Sequence, residues 1–232
     1  MKRGFMKHFV LLVALMLPGI AGADALDDVV GQAKRDGIPV EPLRNKIKEG
    51  RAKGVPEARI RAVVQQMVRH MKQARLWIRK HEQQRKKSQR GTGEAEQRRL
   101  MVSLAQARMA GLSEAGLRSM VALRKAASRV DALVDMHMRG YRNQQALQLA
   151  RRAAAADVGT LGATLDGLRR SHNLTHAEAA DALLRAVQAE NGSLSRAMRT
   201  ITHRYRKGGA VGGSGVKPRG HSGQSSSKRG KR

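Results

Sequence analysis

Methionine and histidine fall close together twice in this chain. Met67, His70 and Met71 stand at i, i+3 and i+4, and Met136, His137 and Met138 are consecutive. Thioether sulfur and imidazole nitrogen together select Cu(I) and similar soft ions. The same spacing also suits plain packing, because methionines at helical intervals fill cores. A third pattern, His172 and His176 with Glu178 nearby, has the residue types of a divalent metal site. Asn173, Leu174 and Thr175 separate the two histidines and read as a corner between helices, so the pair is not expected to share a helical face.

Catalysis would need a nucleophile with its base, paired carboxylates or a metal cluster. The chain has no Cys, which excludes thiolate nucleophiles, thiolate zinc sites, iron–sulfur clusters and disulfides. Its 18 acids are scattered, apart from Asp24, Asp27 and Asp28 at the start of the first expected helix, where they complement the helix dipole. No Gly-rich loop follows a strand. The expectation is therefore a protein that is not an enzyme, with no catalytic residues and no cofactor or resident metal.

Positive charge is the dominant chemistry. Lys and Arg number 46 against 18 Asp and Glu, a formal net charge of +28. The densest run lies between Arg69 and Arg90, where Arg69, Lys72, Arg75, Arg79, Lys80, Arg85, Lys86, Lys87 and Arg90 face one acid, Glu82. With few carboxylates to neutralise it, such a run attracts polyanions. These nine residues are the candidate anion-binding site. Trp77, between Arg75 and Arg79, has three uses open to it: core packing, stacking on a ligand, or anchoring at a membrane interface.

What carries these residues is helical. Only 5 of the 232 residues are Phe, Tyr or Trp, whereas Ala, Leu, Gln, Arg and Met abound, which argues against sandwiches and barrels. From Glu57 onward Ile60, Val64, Met67, Met71, Ala74 and Ile78 recur at alternating steps of four and three, an apolar seam for a partner helix. With that seam inward, Arg75, Arg79, Lys86 and Lys87 are expected to point outward together. A recurrent punctuation joins the helices: Gly or Asn, an apolar residue, then usually Pro, Ser or Thr. It occurs at Gly37-Ile38-Pro39, Gly54-Val55-Pro56 and Gly111-Leu112-Ser113, and more loosely at Asn173-Leu174-Thr175 and Gly192-Ser193-Leu194. Gly or Asn ends a helix in the left-handed conformation, the apolar residue packs back, and Pro, Ser or Thr starts the next helix. Thr175 with Glu178 adds a capping box. The fold class is all-α, with short helices joined by Gly/Pro corners as an irregular bundle. Uneven corner spacing makes a solenoid the lesser alternative.

The two ends read differently. Lys2, Arg3 and Lys7 precede an unbroken apolar run from Phe9 to Leu17, then Pro18-Gly19 and the small residues Ala21-Gly22-Ala23. This is the layout of a secretory signal peptide over residues 1–23, with cleavage before Asp24. Nine apolar residues are fewer than half of what a membrane span needs. From Lys207 onward eight Gly, five Ser and seven Lys or Arg, with no acid, describe a disordered basic tail over 207–232. Between them the expected organisation is a helical region with the long basic helix over 24–88, a linker over 89–93 and a helical bundle over 94–206.

The segment Gly37 to Met67 resembles uncharacterised secreted bacterial helical proteins, a resemblance that implies export and a helical fold and brings no activity. Leu174-Thr175-His176-Ala177-Glu178 resembles the Leu-Thr-x-x-Gln marker of small basic helical periplasmic chaperones and stress sensors, with Glu in place of Gln and in one copy. The function expected is a secreted or periplasmic binding or adaptor protein. Its partners would be anionic envelope components: lipopolysaccharide, anionic lipid or an acidic macromolecule. A periplasmic chaperone or soft-metal-responsive protein is the alternative. Nucleic acid is expected to bind only non-specifically, because stacking aromatics and RNA-binding or zinc-finger motifs are missing and export removes the chain from the cytoplasm.

Overall fold

A computed structural model of the chain describes residues 21–85, 93–141 and 144–206. The described residues form ten α-helices and no strand: α1 Ala21–Arg35, α2 Glu41–Ala52, α3 Glu57–Arg85, α4 Glu94–Met109, α5 Glu114–Arg118, α6 Ala126–Met138, α7 Gln144–Arg152, α8 Leu161–Ser171, α9 His176–Ala189 and α10 Leu194–Arg206. A single 3-10 turn, Val158–Thr160, leads into α8. The all-α irregular bundle is thus the observed architecture. The tail from Lys207 and residues 1–20 lie outside the described residues, as do 89–92 of the expected linker.

The corners fall where the punctuation places them. Gly37, Gly54, Gly111, Asn173 and Gly192 have φ of +67°, +66°, +87°, +51° and +88°. At four of them the amide of the next residue reaches five residues back: Ile38 to the Ala33 carbonyl (2.9 Å), Val55 to Gly50 (3.0 Å), Leu112 to Ala107 (3.0 Å) and Leu174 to Arg169 (2.9 Å). That bond satisfies carbonyls the helix end would leave orphaned. At the fifth, Asn191 is already left-handed at +50°, so the Gly192 amide itself closes on Val187 at 2.8 Å. A sixth corner of the same kind, Gly140-Tyr141, escapes the pattern because no Pro, Ser or Thr follows; the Tyr141 amide donates to Met136 at 2.9 Å. The expected capping box is present: Thr175 Oγ1 accepts from the Glu178 amide, and the Glu178 carboxylate accepts from the Thr175 amide at 2.9 Å. Thr175→Ala should cost about 1 kcal/mol. Urea unfolding should show this as a lower midpoint at unchanged slope.

Burial follows the apolar stripes. Ile60, Val64, Met67, Met71, Ala74 and Ile78 are all buried, with α3 packed on α1, α2 and α4. In turn α4 packs on α6, α6 on α7 and α8, α7 on α9, and α9 on α8 and α10. Leu161, Leu165 and Leu168 are fully buried on α8, as are Ala180, Leu183 and Val187 on α9, while Leu184 is only partly covered. The buried side chains form one continuous cluster, from Leu26 of α1 to Ile201 of α10.

Candidate anion-binding surface

The long helix α3 presents the cations, and its seam decides which of them face out. At 100° per residue Arg69 lies opposite the seam, whereas Arg75 lies about 60° from its centre, at the border of the packed face. Arg69, Arg79 and Lys80 are exposed, and among the described residues no carboxylate lies within ion-pair distance of any of the three. Lys72 is also exposed, but its Nζ is 2.6 Å from Asp36 Oδ2. The Arg75 guanidinium donates to the Asp36 carbonyl and rests against Gly37. Arg75 therefore does not point outward with Arg79: together with Lys72 it clamps the corner between α1 and α2. The Lys72 ammonium holds the Asp36 carboxyl below its usual range. Arg85 is the last residue of α3, and Lys86, Lys87 and Arg90 lie outside the described residues.

Two neighbours complete this surface. Leu76, one of two large apolar side chains left open among the described residues, is 64% exposed. It stands four residues after Lys72, three before Arg79 and four before Lys80, so cations ring it on the outer face. Trp77 is buried at 8% exposure, with the Arg118 guanidinium 5.8 Å from its ring centroid. Of its three uses, core packing is the one found. Arg118 carries no sequence signal linking it to Trp77, since forty residues and a second helix separate them.

The methionine and histidine patterns are dispersed. Met67 and Met71 are 3% and 0% exposed in the core, while His70 lies half-buried beside Gln66. Burial, then Arg108 and Arg69, push the His70 imidazole below its usual pKa. In the second cluster Met136 is fully buried and Met138 is 74% exposed, so their sulfurs face opposite environments. His172 stacks on Tyr205 (3.8 Å between centroids) and His176 packs edge-on against Tyr141 (4.8 Å), giving each histidine its own aromatic partner. Among the described residues no three His, Asp or Glu side chains are grouped to hold a metal.

Two polar arrangements went unseen in the sequence. Arg139 bridges Asp135 (2.9 Å) and Asp166 (2.7 Å), and Asp166 also accepts from the Tyr141 hydroxyl at 3.0 Å. Burial works to raise the Asp166 carboxyl, yet Arg139 and Tyr141 hold it below the usual range. Burial and the Asp166 carboxylate push the Tyr141 phenol up to about 12. Ultraviolet titration of the folded protein should show this phenol ionising near 12, against about 10 after unfolding. Because its folded value is the higher one, its stabilising share is complete below about pH 10 and fades as pH rises toward 12. The second arrangement is Arg129, at 7% exposure the only charged side chain buried among the described residues, which reaches the end of α7. Both tie helices together: Arg139 and Tyr141 join the end of α6 to Asp166 of α8, and Arg129 joins α6 to the end of α7. Comparison with protein-family models, with curated proteins and with solved structures gives no match for this chain.

Proposed function

We propose that this chain is a non-enzymatic binding or adaptor protein of the bacterial periplasm or exterior, engaging anionic envelope surfaces through the outer face of α3. The observation that carries this reading is the trio Arg69, Arg79 and Lys80, exposed around the exposed Leu76 and without carboxylate partners among the described residues. Unpaired cations draw phosphate-bearing surfaces, and an apolar side chain in their midst favours a lipid interface over a fully hydrated polyanion such as DNA. No helix among the described residues is long and apolar enough to cross a membrane.

The test is sedimentation with vesicles containing phosphatidylglycerol. Arg69→Gln with Arg79→Gln should weaken binding about thirtyfold, at about 1 kcal/mol per cation near an acidic surface. Arg151→Gln with Arg199→Gln removes equal charge from exposed positions on α7 and α10 and should leave binding nearly unchanged. Equal loss in both variants would reduce the effect to net charge, and no wild-type binding would defeat the proposal.

Export is checked separately by N-terminal sequencing of the native protein, which should begin at Asp24. Cleavage there removes only the first three residues of α1 and leaves Leu26, Val30 and Ala33 in the core.

A further inference from the structure

Beside the outer face of α3 lies a cleft of about 300 Å³ whose walls come from distant parts of the chain. Trp77, Lys80, His81 and Gln84 of α3 line one side, Arg118 at the end of α5 and Val121 beyond it the other. Trp77 and Val121 are both buried and supply apolar walls. Of the polar groups, the Lys80 ammonium and the Arg118 guanidinium are donors only, and the Gln84 carboxamide offers an NH2 donor beside its oxygen. His81 adds an imidazole whose Nε2 is shielded from solvent and has no hydrogen-bond partner among the described residues. One carboxylate stands near, Glu114, at 3.6 Å from Arg118 and already accepting from Gln73 at 3.0 Å. Glu82, the other acid of this stretch, accepts from Gln97. Two full cations thus face one engaged carboxylate, and Lys80 has none of its own among the described residues.

We propose that this cleft seats a phosphate group, the headgroup of an acidic lipid or a free phosphate monoester. A tetrahedral oxyanion accepts from several directions at once, which suits an ammonium and a planar guanidinium fork converging from two helices. The volume exceeds what a bare phosphate fills and leaves room for its ester substituent against the indole. Lys80 joins the cleft to the outer face, so a lipid phosphate seated there would bring its surface onto Leu76 and Arg79. The inference rests on the anion-binding reading of α3 only for the lipid source of the phosphate.

Trp77 is the chain's single tryptophan, so its fluorescence reports on the cleft directly. The full chain is titrated with inorganic phosphate against chloride at matched ionic strength, and then with vesicles containing phosphatidic acid. Inorganic phosphate should give a saturable change in Trp77 emission that chloride does not. Lys80→Gln should weaken it about tenfold, the share of one charge-assisted hydrogen bond. Lys80 is exposed, so this variant keeps the fold; Arg118→Lys, which keeps charge but loses the fork, should weaken it as well. A lipid source predicts that phosphatidic acid vesicles produce the change at far lower phosphate concentration, and a soluble source that they do no better than inorganic phosphate. No saturable change with any probe, or an unaltered one in Lys80→Gln, overturns the proposal. Vesicle sedimentation that persists alongside that result would leave the broader function standing, whereas a phosphate response without vesicle binding would leave the cleft standing alone.

Discussion

Arg129→Met is expected to lower the stability of the fold by about 3–5 kcal/mol, more than any surface substitution described above. The Arg129 side chain leaves α6 and donates to the carbonyls of Arg124 (2.9 Å), Ala150 (2.7 Å), Arg151 (3.1 Å) and Ala153 (3.0 Å). Ala150 and Arg151 belong to the C-terminal end of α7 and Ala153 follows it directly, where helix carbonyls lack intrahelical donors and the dipole is negative. Among the described residues no carboxylate takes part. Burial pushes the guanidinium pKa down, but an arginine remains charged in proteins. Methionine fills similar volume while abandoning all four carbonyls, those of Ala150 and Ala153 in the interior. Lysine, a point charge without a fork, should recover less than half of the loss. Because the acceptors are carbonyls, the loss should be nearly independent of salt and of pH between about 5 and 9. Urea unfolding and thermal melting measure it, with Arg124→Met at an exposed neighbouring position as the control. A loss below about 1 kcal/mol would show that water replaces the guanidinium at this helix end.

A second large effect is expected at the same place from the opposite direction. Gly192, in the corner between α9 and α10, lies against the end of α7: its carbonyl accepts from the Ala154 amide at 2.8 Å. A Cβ there would come within 2.8 Å of the Arg152 carbonyl oxygen and 3.4 Å of the Ala154 nitrogen, both backbone atoms that cannot rotate aside. The residue also holds φ at +88°. Gly192→Ala should therefore cost about 2–4 kcal/mol, combining left-handed strain with displaced backbone. Gly111→Ala makes the comparison: φ is +87° there too, but nothing lies within 4 Å of the added methyl, so only the strain applies. A smaller melting shift for Gly111→Ala than for Gly192→Ala would separate the two contributions. Equal shifts would mean that the close approach to α7 yields without cost.

Much of the scaffold was legible because its signals are local. A left-handed residue followed by an apolar one marks a helix end through bonds spanning six residues, and those six residues suffice to recognise Gly37, Gly54, Gly111 and Asn173. The seam of α3 is equally local, since Ile60 to Ile78 share one face through helix geometry alone. Gly140 escapes the rule for a reason of the same scale: the rule demands a helix starter after the apolar residue, where the sequence has Arg142, and the apolar position is held by Tyr141, whose full burial does the anchoring.

The site was only partly legible. Composition and spacing identified a dense cationic stretch on an amphipathic helix, and periodicity alone places Arg69 opposite the seam. Whether a cation is available to a ligand depends on what it meets, and that is decided by elements far away in the chain. Asp36 at the α1 corner engages Lys72 and Arg75, while Arg118 comes to Trp77 and Lys80 from beyond α4. Arg129 looks in the sequence like any other arginine among 46 cations, and only the end of α7 packed against α6 makes it an interior group. Helix type, helix ends and the inward stripe are thus properties of neighbouring residues, set by hydrogen-bond geometry and a 3.6-residue period. Which charges are spent on holding helices together and which remain for a partner is set by tertiary packing, because a charge is neutralised by proximity in space and not in sequence.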